Sequence, residues 1–160
     1  MQSHDRTSTA IGLALLLAVA AAPWTAAHAN EFLETRLAEP APSFDQPRRV
    51  VLQLTSDDAR TMNNVLYNAV NIQKFYGMDN VEIAIVAYAG GMEALYAGSS
   101  PVQDRISSLQ QYGISFIGCG NTMDATDHEP DELIEGVQWV QAGVAEIVER
   151  QLDGWVYVRP

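Results

Sequence analysis

The chain holds one cysteine, Cys119, in the segment Ile114-Ser-Phe-Ile-Gly-Cys119-Gly-Asn-Thr-Met123. A thiol does chemistry as a thiolate, and its ordinary pKa of about 8.5 has to be lowered for that at neutral pH. Gly118 and Gly120 tolerate positive φ, so a Gly-Cys-Gly-Asn121 turn can converge its backbone N–H groups on an anion. Cys119 is thus the candidate reacting group, with Gly118, Gly120 and Asn121 shaping its surroundings. No arginine, lysine or histidine adjoins it in sequence, so activation falls to the backbone, to a helix N-terminus or to distant segments. The competing reading is an inert core thiol, since free cysteine packs as a small hydrophobe. Spacing alone leaves both open. His128, in Thr126-Asp-His-Glu129, is a candidate proton-transfer partner, although a solvated residue of an acidic loop is the plainer reading.

Other chemistries leave no comparable trace. There is no Gly-x-Ser-x-Gly elbow, no P-loop and no dinucleotide-binding glycine fingerprint. Met92, Met123, Cys119 and His128 are soft or borderline metal ligands, but their spacing matches no fixed motif. The acids Asp124, Asp127, Glu129, Asp131 and Glu132 lack the spacing of a calcium loop. Neither a metal nor a cofactor is expected.

The elements that must position these residues alternate. Val50–Leu54 is a β-rich run followed by helix-capping residues in Thr55-Ser-Asp-Asp58. Met62, Val65, Leu66, Ala69, Ile72 and Tyr76 recur at helical spacing until Gly77. Val81–Tyr88, nearly continuous in apolar residues, predicts a strand buried on both faces. Ala89–Gly98 is a glycine-bearing stretch, read as a pocket-lining loop or a hidden fifth strand. Ser100-Pro-Val-Gln103 predicts a helix start with a capping box, running to about Tyr112. The third strand is Ile114–Gly118, leading into Cys119. Pro130 opens what reads as the longest helix, with Leu133, Val137, Val140, Val144, Ile147 and Val148 as its stripe and Gly154 as its stop. Gly136 and Gly143 lie near one face of it, suited to close approach. Trp155–Val158 is a final strand. This β-α-β-α-β-α-β order predicts an α/β fold, a single domain with a parallel sheet of four to five strands flanked by helices. Cys119 then sits at the carboxyl end of a strand, where ligands of open α/β sheets gather.

The N-terminus raises the question of compartment. A polar start with Arg6 precedes the apolar run Ala10–Ala22, which is short of the roughly 20 residues that span a bilayer. Ala27-His28-Ala29 follows in small-x-small form. The order is that of a secretory signal peptide, cleaved after Ala29. The expected organisation is a signal peptide over 1–29, an extended proline-bearing lead-in over 30–47 and an α/β domain over 48–160. The formal net charge is −11, which disfavours binding to nucleic acid or to an anionic membrane surface.

The segment Ile117-Gly-Cys119-Gly-Asn-Thr-Met123, the stretch Val140-Gln-Ala-Gly143-Val-Ala-Glu-Ile147 and the ending Gln151-Leu-Asp-Gly-Trp-Val-Tyr-Val-Arg-Pro160 together resemble the DsrE/DsrF-like proteins. The resemblance covers about Arg48 to Pro160. It implies a small parallel α/β fold and homo-oligomers, trimers or hexamers. It also implies sulfur carried as a persulfide on a cysteine at a strand end, the position Cys119 occupies. On that reading Asn121 donates an amide N–H to the terminal sulfur, and the partners are a sulfur donor or acceptor protein or a small thiol. With the leader, the expectation is a periplasmic sulfur carrier. The alternatives are an oligomeric small-ligand-binding module without catalysis, whose 89–98 loop closes over its ligand, and a thiol redox sensor.

Overall fold

The computed structural model describes residues 32–160; the expected signal peptide lies outside them. In the unit from Leu37 to Pro160, residues 37–47 form no helix or strand, and Arg48 donates a side-chain hydrogen bond to the Ala38 carbonyl. Five strands follow: β1 (Arg48–Leu54), β2 (Val81–Ala87), β3 (Ile114–Cys119), β4 (Gln138–Val140) and β5 (Val156–Val158). All neighbours pair in parallel, in the order β4-β3-β2-β1-β5. The helices are α1 (Ala59–Tyr76), α2 (Gln103–Gln111), α3 (Gly120–Ala125) and α4 (Gly143–Leu152).

The strands alternate their apolar side chains between two cores, as a period of two requires. Val50, Leu52, Leu54, Ile83, Ile85 and Phe116 join residues of α1 and α2 in the larger core. Val51, Ala84, Val86 and Ile117 face Ile147 of α4 in a much smaller one. Helix α1 forms where its apolar stripe lets Met62, Val65, Leu66 and Ala69 bury against the sheet. Asp58 caps it by accepting from the Thr61 N–H at 2.8 Å, and Gly77 at φ 87 ends it. Leu66 is fully enclosed, so Leu66→Ala should cost about 3 kcal/mol of folding stability, a cavity effect. Denaturant titration checks it.

Three expectations fail. The fifth strand is not near 89–98, where Ala89–Ala94 is instead a 3-10 turn. It is β4, inside the stretch expected to be one long helix. There Pro130–Glu132 is a 3-10 turn, Gly136 takes φ 83, and Gln138–Val140 pairs with Ile117–Cys119. The available partner edge of β3 outweighs a helical spacing of apolar residues. The third concerns α2, which starts at Gln103 behind Val102 as its N-cap residue. Ser100 Oγ accepts from the Val102 N–H at 3.2 Å, and Gln103 Oε1 takes the Gly98 N–H at 2.7 Å. The side chains expected to close a capping box are spent on the turn before the helix.

Candidate functional site

Cys119 is the last residue of β3 and the N-cap residue of α3. Its N–H faces the side where β2 has already ended, and its acceptor there is the Met92 thioether at 3.2 Å. Met92 comes from the 3-10 turn after β2 and is itself buried. On the other side β4 pairs Val140 with Cys119, and the chain continues through Gln141 into α4. Gln141 ties the two segments together. Its carbonyl accepts from the Asn121 N–H at 2.8 Å, and its amide donates to Asn121 Oδ1 at 2.6 Å.

Gly143, the first residue of α4, closes the site from above. A Cβ there would meet Cys119 Cβ at 3.2 Å, Val86 Cγ1 at 3.3 Å and the Ala87 carbonyl at 3.4 Å. The glycine therefore lets a helix start lie directly against the thiol. Gly118 and Gly120 serve the same need for space rather than for positive φ, which neither adopts. A Cβ on Gly118 would press on Met92, and one on Gly120 on the Trp139 ring.

The cysteine is 6% exposed, and that burial pushes the thiol pKa up because it strips water from the charged form. Opposing it is the influence of the Gly143 N–H, the Thr122 hydroxyl and N–H and the Asn121 N–H, which favour the charged sulfur; the Asn121 N–H has its own acceptor in the Gln141 carbonyl. The donors win, and the pKa ends below its ordinary value. Two helix starts converge on one sulfur with no cationic side chain among these contacts. The thiol's S–H meets only a distant acceptor, the Gln141 carbonyl at 3.9 Å. A thiolate is thus better served by its surroundings than a thiol. In a pH series, alkylation of Cys119 by iodoacetamide should show a midpoint below that of an unfolded control, and a midpoint at or above the control would contradict this account.

His128 makes its contacts elsewhere. Its Nδ1 lies 3.0 Å from Glu132 Oε2, and its ring stacks on Tyr96 with centroids 3.9 Å apart. The burial of Tyr96 raises its phenol pKa, with the Cys119 charge a smaller contribution. Of the residues singled out from sequence, Cys119, Gly118, Gly120 and Asn121 lie together by chain continuity, whereas His128 is engaged by Glu132 and Tyr96. Sequence reasoning missed Thr122 and Gln141 and weighed Met92 only as a soft metal ligand. The adjacency of Thr122 to the Cys-Gly-Asn run was a usable signal; nothing in the sequence marked Gln141, or Met92 as the partner of the Cys119 N–H. Gly143 was flagged for close approach, without its target.

Among the described residues, no group of three or more His, Cys, Asp or Glu side chains could hold a metal ion, and no helix is long and apolar enough to cross a membrane.

Comparison with known proteins places this geometry in context. MTH1491, a protein of unknown function from Methanobacterium thermoautotrophicum, matches at 35% identity with a TM-score of 0.68, over 71% of this chain and 99% of that one. The ychN protein from E. coli matches at 15% identity with a TM-score of 0.59, over 71% and 99% respectively, a likeness of fold alone. No match was found among curated proteins. The model of the DsrE/DsrF-like family matches residues 49–160. With the larger part of its length, residues 49–160, matched by that model, the chain belongs to the DsrE/DsrF-like family.

Proposed function

We propose that this protein carries sulfane sulfur as a persulfide on Cys119. The observation that carries the reading is the place of the sulfur, 6% exposed at the end of β3 with the starts of α3 and α4 lying against it; the lowered thiol pKa agrees with it. Membership of the DsrE/DsrF-like family is consistent with a sulfur-relay role. In the loading step the Cys119 thiolate attacks the outer sulfur of a donor persulfide, R–S–SH. The new S–S bond forms as the donor's S–S bond breaks, and the donor leaves as the thiolate R–S⁻. The product is Cys119–S–SH, and no net oxidation occurs. Delivery reverses the roles, with an acceptor thiolate attacking the outer sulfur and Cys119 leaving as the stabilised thiolate.

Asn121 shapes this pocket together with Gly118 and Gly120. Its Oδ1 is occupied by Gln141, which turns the amide nitrogen away from that bond and leaves it to donate to an outer sulfur. The working unit is a homo-oligomer, a trimer or hexamer. Exposed Val144, Val148 and Leu152 recur at four-residue steps along α4, with half-exposed Trp139 nearby in the chain, and an apolar face of that kind favours a protein neighbour. The Trp139 ring packs on Gly120, the residue after Cys119. The charge, apolar run and small-x-small order of residues 1–29 support export to the periplasm, where a thiol 6% exposed is sheltered from oxidation.

The test is intact mass after incubation with a small-molecule persulfide. The folded protein should gain the mass of one sulfur atom and lose it again to an acceptor thiol. A protein that alkylates at Cys119 yet never retains sulfur would be a redox sensor instead, and one that never alkylates would be a binding module.

A further inference from the structure

We infer that Asp124, Gln141 and Asn121 form an orienting relay that offers the Asn121 amide N–H2, rather than its carbonyl, to the group arriving at Cys119. The inference rests on the reading of Cys119 as the reacting group. It adds two positioning residues, Gln141 and Asp124, and a preference for an incoming species with an anionic or electron-rich outer atom. All three relay side chains are exposed, whereas the thiol they neighbour is buried. A primary amide carries an acceptor on one side and two donors on the other. What it offers a visitor therefore depends on which end is already engaged. Asn121 Oδ1 accepts from the Gln141 Nε2 at 2.6 Å. That bond spends the acceptor and leaves the donors.

Two amides meeting alone would be free to turn over together, since carbonyl and N–H2 exchange places on a half turn of the terminal torsion. A carboxylate removes that freedom, because it can only accept. Asp124 Oδ2 lies 3.5 Å from the Gln141 Nε2, long for a hydrogen bond but near enough to favour the N–H2 of Gln141 and repel its carbonyl oxygen. Asp124 thus fixes Gln141, and Gln141 fixes Asn121. The main chain keeps the parts in register. The Asn121 N–H bonds the Gln141 carbonyl at 2.8 Å, so the first turn of α3 and the crossover from β4 into α4 move together. The charged groups of these elements leave the reception of an anion to the amide. Arg150, the cation of α4, sits near the helix's far end, paired with Glu146 at 2.7 Å and over the Trp155 ring at 4.3 Å. His128, beyond α3, is engaged by Glu132. In a chain of net charge −11, whose field repels anions, a neutral donor of fixed orientation offsets that repulsion locally.

The experiment compares two alkylating probes on the full chain, anionic iodoacetate and neutral iodoacetamide. Both consume the same Cys119 thiolate, so the ratio of their rates cancels the thiolate fraction and reads how the site receives an anion. Asn121→Ala should lower the iodoacetate-to-iodoacetamide ratio about fivefold, the size of losing one hydrogen bond. Gln141→Met should lower it about twofold, because a freed Asn121 amide presents either end. Residue 141 keeps its main-chain bond in that variant, so the turn keeps its shape. In the Asn121→Ala background Gln141→Met should change nothing further, as a residue acting through another requires. Asp124→Asn, measured in about 0.5 M salt to screen charge, should also lower the ratio, whereas loss of a repelling acid by itself would raise it. An unchanged ratio in Gln141→Met, an equal effect of Gln141→Met with and without Asn121, or an unchanged or raised ratio in Asp124→Asn overturns the relay. A merely structural role would lower the melting temperature without moving the ratio. Neither probe carries sulfur, so a parent that gives the expected ratios yet retains no sulfur overturns the carrier reading and leaves the relay standing.

Discussion

Cys119→Ser folds as the parent does and gains no sulfur from a persulfide donor, while the parent gains one atom per chain. This is the largest functional effect expected, because the reaction has no second thiol to fall back on. Serine keeps an acceptor where the Gly143 N–H, the Thr122 hydroxyl and N–H and the Asn121 N–H converge, so the buried donors stay paired. Alanine in the same place offers no acceptor, although the Asn121 N–H keeps the Gln141 carbonyl. The parent's advantage over Cys119→Ala should depend on pH, with a definite sign. The folded-state thiol pKa is lowered, so between it and the ordinary thiol value the unfolded chain binds the extra proton, and stability rises with pH. The thiolate's contribution is fully present above the unfolded value and is lost as pH falls through the folded one. Denaturant midpoints of the two proteins should therefore diverge as pH rises through that window. Retention of sulfur by Cys119→Ser would move the site elsewhere.

Gly91→Ala should be the most damaging single substitution for the fold. A Cβ at Gly91 would stand 2.1 Å from the Leu54 carbonyl oxygen, 2.5 Å from its carbon and 2.9 Å from the Thr55 nitrogen. All three are main-chain atoms at the end of β1, so no side chain can rotate out of the way. The 3-10 turn would have to lift off the sheet, and Met92 would move with it. Overpacking of this kind costs about 3 kcal/mol or more. Gly98→Ala makes a useful contrast. A Cβ there meets nothing within 4 Å, although φ is +79, so only the backbone penalty of about 1 kcal/mol applies. Thermal melts of the two variants should differ clearly. A functional consequence follows from the same displacement, because Met92 holds the Cys119 N–H. Any Gly91→Ala protein that does fold should show an altered thiolate midpoint, and an unaltered one would separate the Met92 contact from the thiol's chemistry.

The sequence by itself determined the alternation of strands and helices, the ends of β1, α1, β2 and β3, and the place of Cys119 at a strand's carboxyl end. Those are local properties. A buried parallel strand reads as an apolar run, and α1 carries both its stripe and its stops within its own residues, from Asp58 to Gly77. What lay beyond Cys119 was not local. The apolar residues from Leu133 to Val148 fit a helix by spacing, and only the free edge of β3 selects Gln138–Val140 as a strand. A three-residue strand has too little intrinsic preference to announce itself, since strand propensity is mostly a report of packing against neighbours. The same pairing sets the start of α4 against the thiol and brings the Gly143 N–H to it. Helix α3 and the Ala89–Ala94 turn supply Thr122 and Met92 from either side. The sequence named the sulfur, and only the tertiary structure decided which way its pKa moves, because hydrogen-bond donors act through distance and angle, which the order of residues does not carry.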